Sequence, residues 1–146
     1  MWQRVQTLYL AVATILVGLL FFVDKAVVPG AEAGIPAQGY RYTLYLPYII
    51  LIAIAFLLDF LALTTYKHRV FQMRTAVLAA LITLALQIWI GVDFFLNKGG
   101  VMVFRLSVVF PLLAIICDLL AARAIYSDIL IIRSASRLRA AKRRKG

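Results

Sequence analysis

The stretch LYLPYIILIAIAFLLDFLAL, Leu44 to Leu63, is apolar on every helical face for twenty residues and holds a single charged side chain, Asp59. A helix of that length spans about 30 Å at about 1.5 Å per residue, the thickness of a bilayer's hydrocarbon core. A barrel strand would alternate polar and apolar residues over about ten positions, so the run predicts a transmembrane helix. Three more runs of the same kind accompany it: Val5 to Val23, Thr75 to Leu96 and Leu106 to Tyr126. The 146-residue chain is 64% hydrophobic, more than a water-soluble domain of this size buries.

The expected fold is therefore all-α. Residues 1–126 form a four-helix transmembrane domain, an up-down bundle, and residues 127–146 form an amphipathic basic tail. Charge sets the orientation. Arg4, the loop residues Lys67, Arg69 and Arg74, and Arg123, Arg133, Arg137, Arg139, Lys142, Arg143, Arg144 and Lys145 fall on one side, twelve in all. Only Lys25, Arg41, Lys98 and Arg105 fall on the other. The positive-inside rule places both termini and the middle loop in the cytoplasm. A cleaved signal peptide is disfavoured, because the first run exceeds a signal core and the Ala31-Glu32-Ala33 step lies well beyond its end.

Few residues carry chemistry. Cys117 has no second thiol and reads as a packing residue, and His68 has no histidine at metal spacing and reads as a solvated loop residue. The expectation is no catalytic, cofactor or metal site. Asp24 to Thr43 reads as an outward loop broken by Pro29, Gly30, Gly34, Pro36 and Gly39, and Asn97 to Arg105 as a short outward turn around Gly99 and Gly100. Tyr40, Tyr42, Tyr45 and Tyr48 suit an aromatic belt at headgroup level. Asp93, beside Asn97 and Lys98, is expected to reach water.

Two acids lie inside spans, Asp59 and Asp118, each in an alanine stripe at helical spacing: Ala55 and Ala62, then Ala114, Ala121 and Ala122. Small residues mark close helix contact, so both carboxyls are expected to face other helices. An intramembrane acid costs about 2.5 to 3.5 kcal/mol even on the lenient scale and needs a partner or a purpose. One reading makes the pair neutral or salt-bridged anchors, with Arg4, Arg74 and Arg123 as candidate cations. The other makes it a proton or cation relay.

The tail places Ile125, Ile129 and Ile132 on one face and ends in Lys142, Arg143, Arg144 and Lys145. Anionic headgroups would attract it at about 1 kcal/mol per basic residue, and nucleic acid or ribosomal phosphates offer the same charge.

The opening Met1-Trp2-Gln3-Arg4-Val5-Gln6-Thr7-Leu8-Tyr9-Leu10, the loop Tyr66-Lys67-His68-Arg69-Val70-Phe71-Gln72-Met73-Arg74 and the segment from Ala121 through Arg123, Asp128 and Arg133 to Arg139 resemble the domain-of-unknown-function family DUF4293. The resemblance implies a small four-span protein of Bacteroidota and carries no activity with it. It departs at Ser136 and Ile129, where acids are usual. The residues that carry it come from three segments and are expected to form one cytoplasmic polar layer: Arg4, Gln6, Lys67, Arg69, Arg74, Arg123, Arg133, Arg137 and Arg139. The two acids lack the sequence context of membrane aspartyl proteases, and the first span lacks the acid that small multidrug transporters need. The expected function is an accessory or scaffold subunit presenting a basic cytoplasmic surface to a membrane-protein partner or within a homo-oligomer. The alternatives are a small proton-coupled transporter or channel using Asp59 and Asp118, and a tether for ribosome or nucleic acid.

Overall fold

Each apolar run folds as a helix whose ends are set by local chemistry. The computed structural model describes residues 2–28, 38–96 and 103–144, with side chains from Val5 onward. Four helices carry most of that length: α1 Trp2–Leu19, α2 Leu46–Thr64, α3 Arg69–Leu96 and α4 Phe110–Arg144. Three helical segments, Leu46–Thr64, Arg69–Leu96 and Leu106–Arg144, are long and apolar enough to cross a membrane. The first helix contributes a shorter apolar stretch, Val5–Leu19. The chain is all-α in class.

Helix ends differ from the sequence expectation in explicable ways. The first helix stops at Leu19 and not at Val23, because the Phe21 and Phe22 amides donate to carbonyls three residues back, at 3.2 and 3.0 Å, tightening the last turn. Pro47 sits in the first turn of α2, where its missing N–H costs nothing. That helix closes at Thr64, whose hydroxyl donates back to the Phe60 and Leu61 carbonyls at 3.0 and 3.1 Å. Helix α3 begins at Arg69, ahead of the expected Thr75, since the Gln72 amide already donates to the His68 carbonyl at 2.9 Å. Helix α4 runs through the expected boundary at residue 126 without a break.

The loop expected from Asp24 to Thr43 holds two strands, β1 Asp24–Val28 and β2 Gln38–Arg41, joined by β3 Val103–Phe104 into a sheet ordered β2-β1-β3. Both pairings are antiparallel, with Ala26 opposite Tyr40 on one side and Phe104 on the other. A Cβ at position 39 would lie 2.8 Å from Asp24 Oδ2, so the glycine leaves room for the Asp24 carboxyl against β2. Pro29, Gly30, Gly34, Pro36, Gly99 and Gly100 lie outside the described residues.

In the helical layer α1 packs against α2 and α4, and α3 packs against the same two, so α2 and α4 face each other across a ring. Two apolar clusters fill it. Towards the strands lie Ala13, Val17, Leu20, Tyr42, Tyr48, Ile52, Ala55, Leu86, Ile90 and Ala114. Towards the tail lie Leu10, Ala62, Ala76, Ala121 and Ala122. At Gly18 α1 packs tightly on α2, for a Cβ there would stand 3.2 Å from the Phe56 ring. Gly18→Leu is expected to destabilise the fold by about 1 to 3 kcal/mol through overpacking, read as a lower melting temperature in detergent. An unchanged melting temperature would show that the two helices do not pack tightly at Gly18.

Candidate functional site

Two groups of functional side chains emerge, one at the tail end of the helices and one between them. At the tail end, Asp128 of α4 accepts a hydrogen bond from Gln6 Nε2 of α1 at 2.8 Å and lies 3.8 Å from Arg69 Nη1 at the start of α3. Three sequence-distant segments thus converge on one carboxylate. Gln6 and Gln72 are buried, and a cavity of about 420 Å³ opens beside them, lined also by Thr7, Tyr66 and Arg69. Arg69 separates it from a second hollow of about 790 Å³ that Lys67, His68 and Arg74 help to line.

The local folding explains this convergence. Helix α2 ends in a turn in which the Thr65 amide and hydroxyl both donate to the Leu61 carbonyl, and the His68 amide then donates to the Thr65 carbonyl at 3.1 Å. Four residues later the chain reverses as α3. The first turn of α3 contains no acid, while Arg69 opens it, Lys67 stands just before it and Arg74 lies in the second turn. Cations at the positive end of a helix dipole are unfavourable unless an anion compensates them. Asp128 compensates Arg69, and Arg74 and Lys67 remain exposed.

Of the expected polar layer, Gln6 and Arg69 therefore meet at Asp128, while Lys67, Arg74 and Arg123 are exposed around them. Arg133, Arg137, Arg139, Lys142, Arg143 and Arg144 lie beyond, on a part of α4 that is exposed at every residue from Leu130 to Arg144. The Arg4 side chain and Lys145 lie outside the described residues. Asp128→Ala is expected to loosen α4 where it leaves the other helices. Amide exchange beyond Tyr126 should rise about tenfold, since one charge-assisted bond is lost. Unaltered exchange there would mean that Asp128 does not hold the helix.

Between the helices, Asp59 of α2 and Asp118 of α4 are both fully buried and close enough to feel each other's charge. They meet across the ring, between the two apolar clusters, and Ala55, Ala62, Ala114, Ala121 and Ala122 beside them are buried too. None of the four carboxyl oxygens finds a donor among the described residues. Ionised carboxylates only accept hydrogen bonds, so a bond between them requires a proton on one. Arg74 and Arg123 are exposed and form no ion pair with either acid, which removes both as the salt-bridge partners expected from sequence.

At the opposite end, the expectation of an aromatic belt is corrected for Tyr42 and Tyr48, whereas Tyr45 is 49% exposed and the Asp93 side chain, 26% exposed, still reaches water. Tyr42 and Tyr48 are 0% and 2% exposed. Asp93 is bonded to Lys25 at 2.7 Å and accepts a hydrogen bond from the Tyr48 hydroxyl. Burial pushes the Tyr42 phenol above its usual range, against a smaller opposite pull from Ser107. Asp24 is flanked by Arg41 at 3.5 Å and Arg105 at 4.0 Å. Each described cation of the strand end thus has an acid beside it, whereas the tail end sets Asp128 alone against its basic residues. Sequence reasoning missed Lys25 and Asp93 as a pair; their opposite charges next to apolar runs were the available signal.

The family model for the domain of unknown function DUF4293 matches residues 2–138, and the chain belongs to that family. No curated protein and no solved structure matches the chain.

Proposed function

We propose that this chain is a four-span protein of a bacterial inner membrane, an up-down bundle with both termini in the cytoplasm, that works by association and is not an enzyme. Its α4 acts as a basic arm for a partner with an acidic face. The observation that carries this reading is the unbroken course of α4 to Arg144, with every residue from Leu130 to Arg144 exposed.

From Tyr126 to Lys142 a straight helix advances about 24 Å, well past a Debye length of about 8 Å from the bilayer surface. Sharp bends usually need Pro or Gly, and neither occurs between Leu112 and Arg144. Such an arm points away from headgroups, which favours a protein partner over simple lipid anchoring. Its base is clamped by Gln6 and Arg69 on Asp128, and the uncompensated cations at the start of α3 add to the same field. Exposed Ile131, Ile132 and Leu138 give the arm apolar contact points among its charges.

The test is native purification in mild detergent at low salt. A stoichiometric partner that high salt releases, and that truncation after Ile132 removes, is the expected result. A chain that purifies only with itself contradicts the reading, and ribosomes as the retained species would favour the tether.

A second reading, proton-coupled transport, draws on the paired and unpartnered carboxyls of Asp59 and Asp118. The apolar clusters on both sides of the pair weigh against an open path. On the association reading, Asp59→Asn with Asp118→Asn leaves partner binding intact and proteoliposomes show no pH-driven flux. Flux that both substitutions abolish would instead establish transport.

A further inference from the structure

The strand end carries a built constellation that the arm does not involve. Lys25 turns inward from β1 and is 5% exposed. Its ammonium donates to Asp93 Oδ2 at 2.7 Å and stands 4.8 and 5.4 Å from the ring centroids of Tyr48 and Tyr45. These four residues open on a cavity of about 290 Å³ whose remaining wall is Tyr40, Pro47 and Trp89.

We propose that this cavity binds the zwitterionic headgroup of a phospholipid, its phosphate on Lys25 and its ammonium against Asp93 and the ring of Trp89. The inference rests on α2 and α3 spanning a bilayer, and not on the arm.

Three observations carry it. Pro47 stands in the first turn of α2, and Trp89 stands within the last two turns of α3, so the cavity lies where those spans meet the headgroups. Tyr45 and Trp89 are each 49% exposed, which leaves the mouth open to the side on which lipid lies. Lys25 and Asp93 together carry no net charge, so the wall attracts a zwitterion over an anion. An ammonium has three donors and the Asp93 bond uses one, leaving donors for a phosphate oxygen. Indole is the best ring for holding a cation, and Tyr40 adds a second face.

The experiment is competition in vesicles of equal phosphatidylethanolamine and phosphatidylglycerol, followed by gentle detergent release and native mass spectrometry of the full chain. One phosphatidylethanolamine per chain should be retained, about tenfold over phosphatidylglycerol, a preference equal to one bonded contact. Trp89→Ala and Tyr45→Ala, at half-exposed positions that tolerate truncation, should each reduce that retention. Equal retention of the two lipids, or retention unchanged in both variants, overturns the headgroup site while leaving the spanning reading in place. A chain that does not insert into the vesicles at all overturns the spanning reading itself.

Discussion

Reversing three charges on the arm, Arg133→Glu, Arg137→Glu and Arg139→Glu together, is expected to abolish partner retention at low salt. Each basic residue near an acidic surface contributes about 1 kcal/mol, and reversal replaces attraction by repulsion, so the affinity should fall at least about a hundredfold. The fold should survive, because all three side chains are exposed and none forms an ion pair among the described residues. Partner yield on native purification, beside an unchanged melting temperature, is the measurement. Retention at wild-type levels would mean that the arm's charge is not what the partner reads.

Lys25→Met is expected to be the most destabilising single change at the strand end. It takes the ammonium away from Asp93 and from the faces of two tyrosine rings, with the Tyr48 hydroxyl still bonded to Asp93. Removing one member of a buried pair costs about 3 to 5 kcal/mol, and the 26% exposure of the Asp93 side chain places this case at or below the lower end. The double variant Lys25→Met with Asp93→Asn should recover most of that loss, because the amide is neutral and its oxygen still accepts from Tyr48. Thermal unfolding of the four species closes the cycle. If the two changes simply add, Lys25 and Asp93 do not interact energetically.

The contrast between the two ends shows which parts of this molecule the sequence discloses. Runs such as Leu44 to Leu63 announce spanning helices because hydropathy alone decides them, and those helices form within a residue or two of the expected bounds at α2. Helix boundaries set by polar turns are less legible. The early start of α3 depends on the His68 and Gln72 backbone, which no periodicity records. The helical course of the tail is legible in Ile125, Ile129 and Ile132, which share one face; Ser127, Ser134 and Ser136 do not interrupt it, since each hydroxyl donates to a carbonyl three residues back, at 2.8 Å.

Placement of the candidate residues followed the same division. Asp59 and Asp118 stand out because an acid in an apolar run needs an explanation, and their alanine neighbours already imply burial. That they meet each other, and not Arg74 or Arg123, is a property of α2 and α4 lying across the ring. Tyr42 and Tyr48 resemble belt residues by position. Only the arrival of Ser107 and Asp93 from elsewhere in the chain turns them into core. The sheet is least legible of all, since β1 and β3 are two short segments with both α2 and α3 between them in the chain.

The most direct test of the arm is a photo-crosslinking side chain placed at Leu138, which is 72% exposed midway along the basic segment. In living cells the account predicts one discrete protein adduct from that position, lost when the arm's charges are reversed. Adducts to lipid alone would place the arm on the bilayer surface and contradict it.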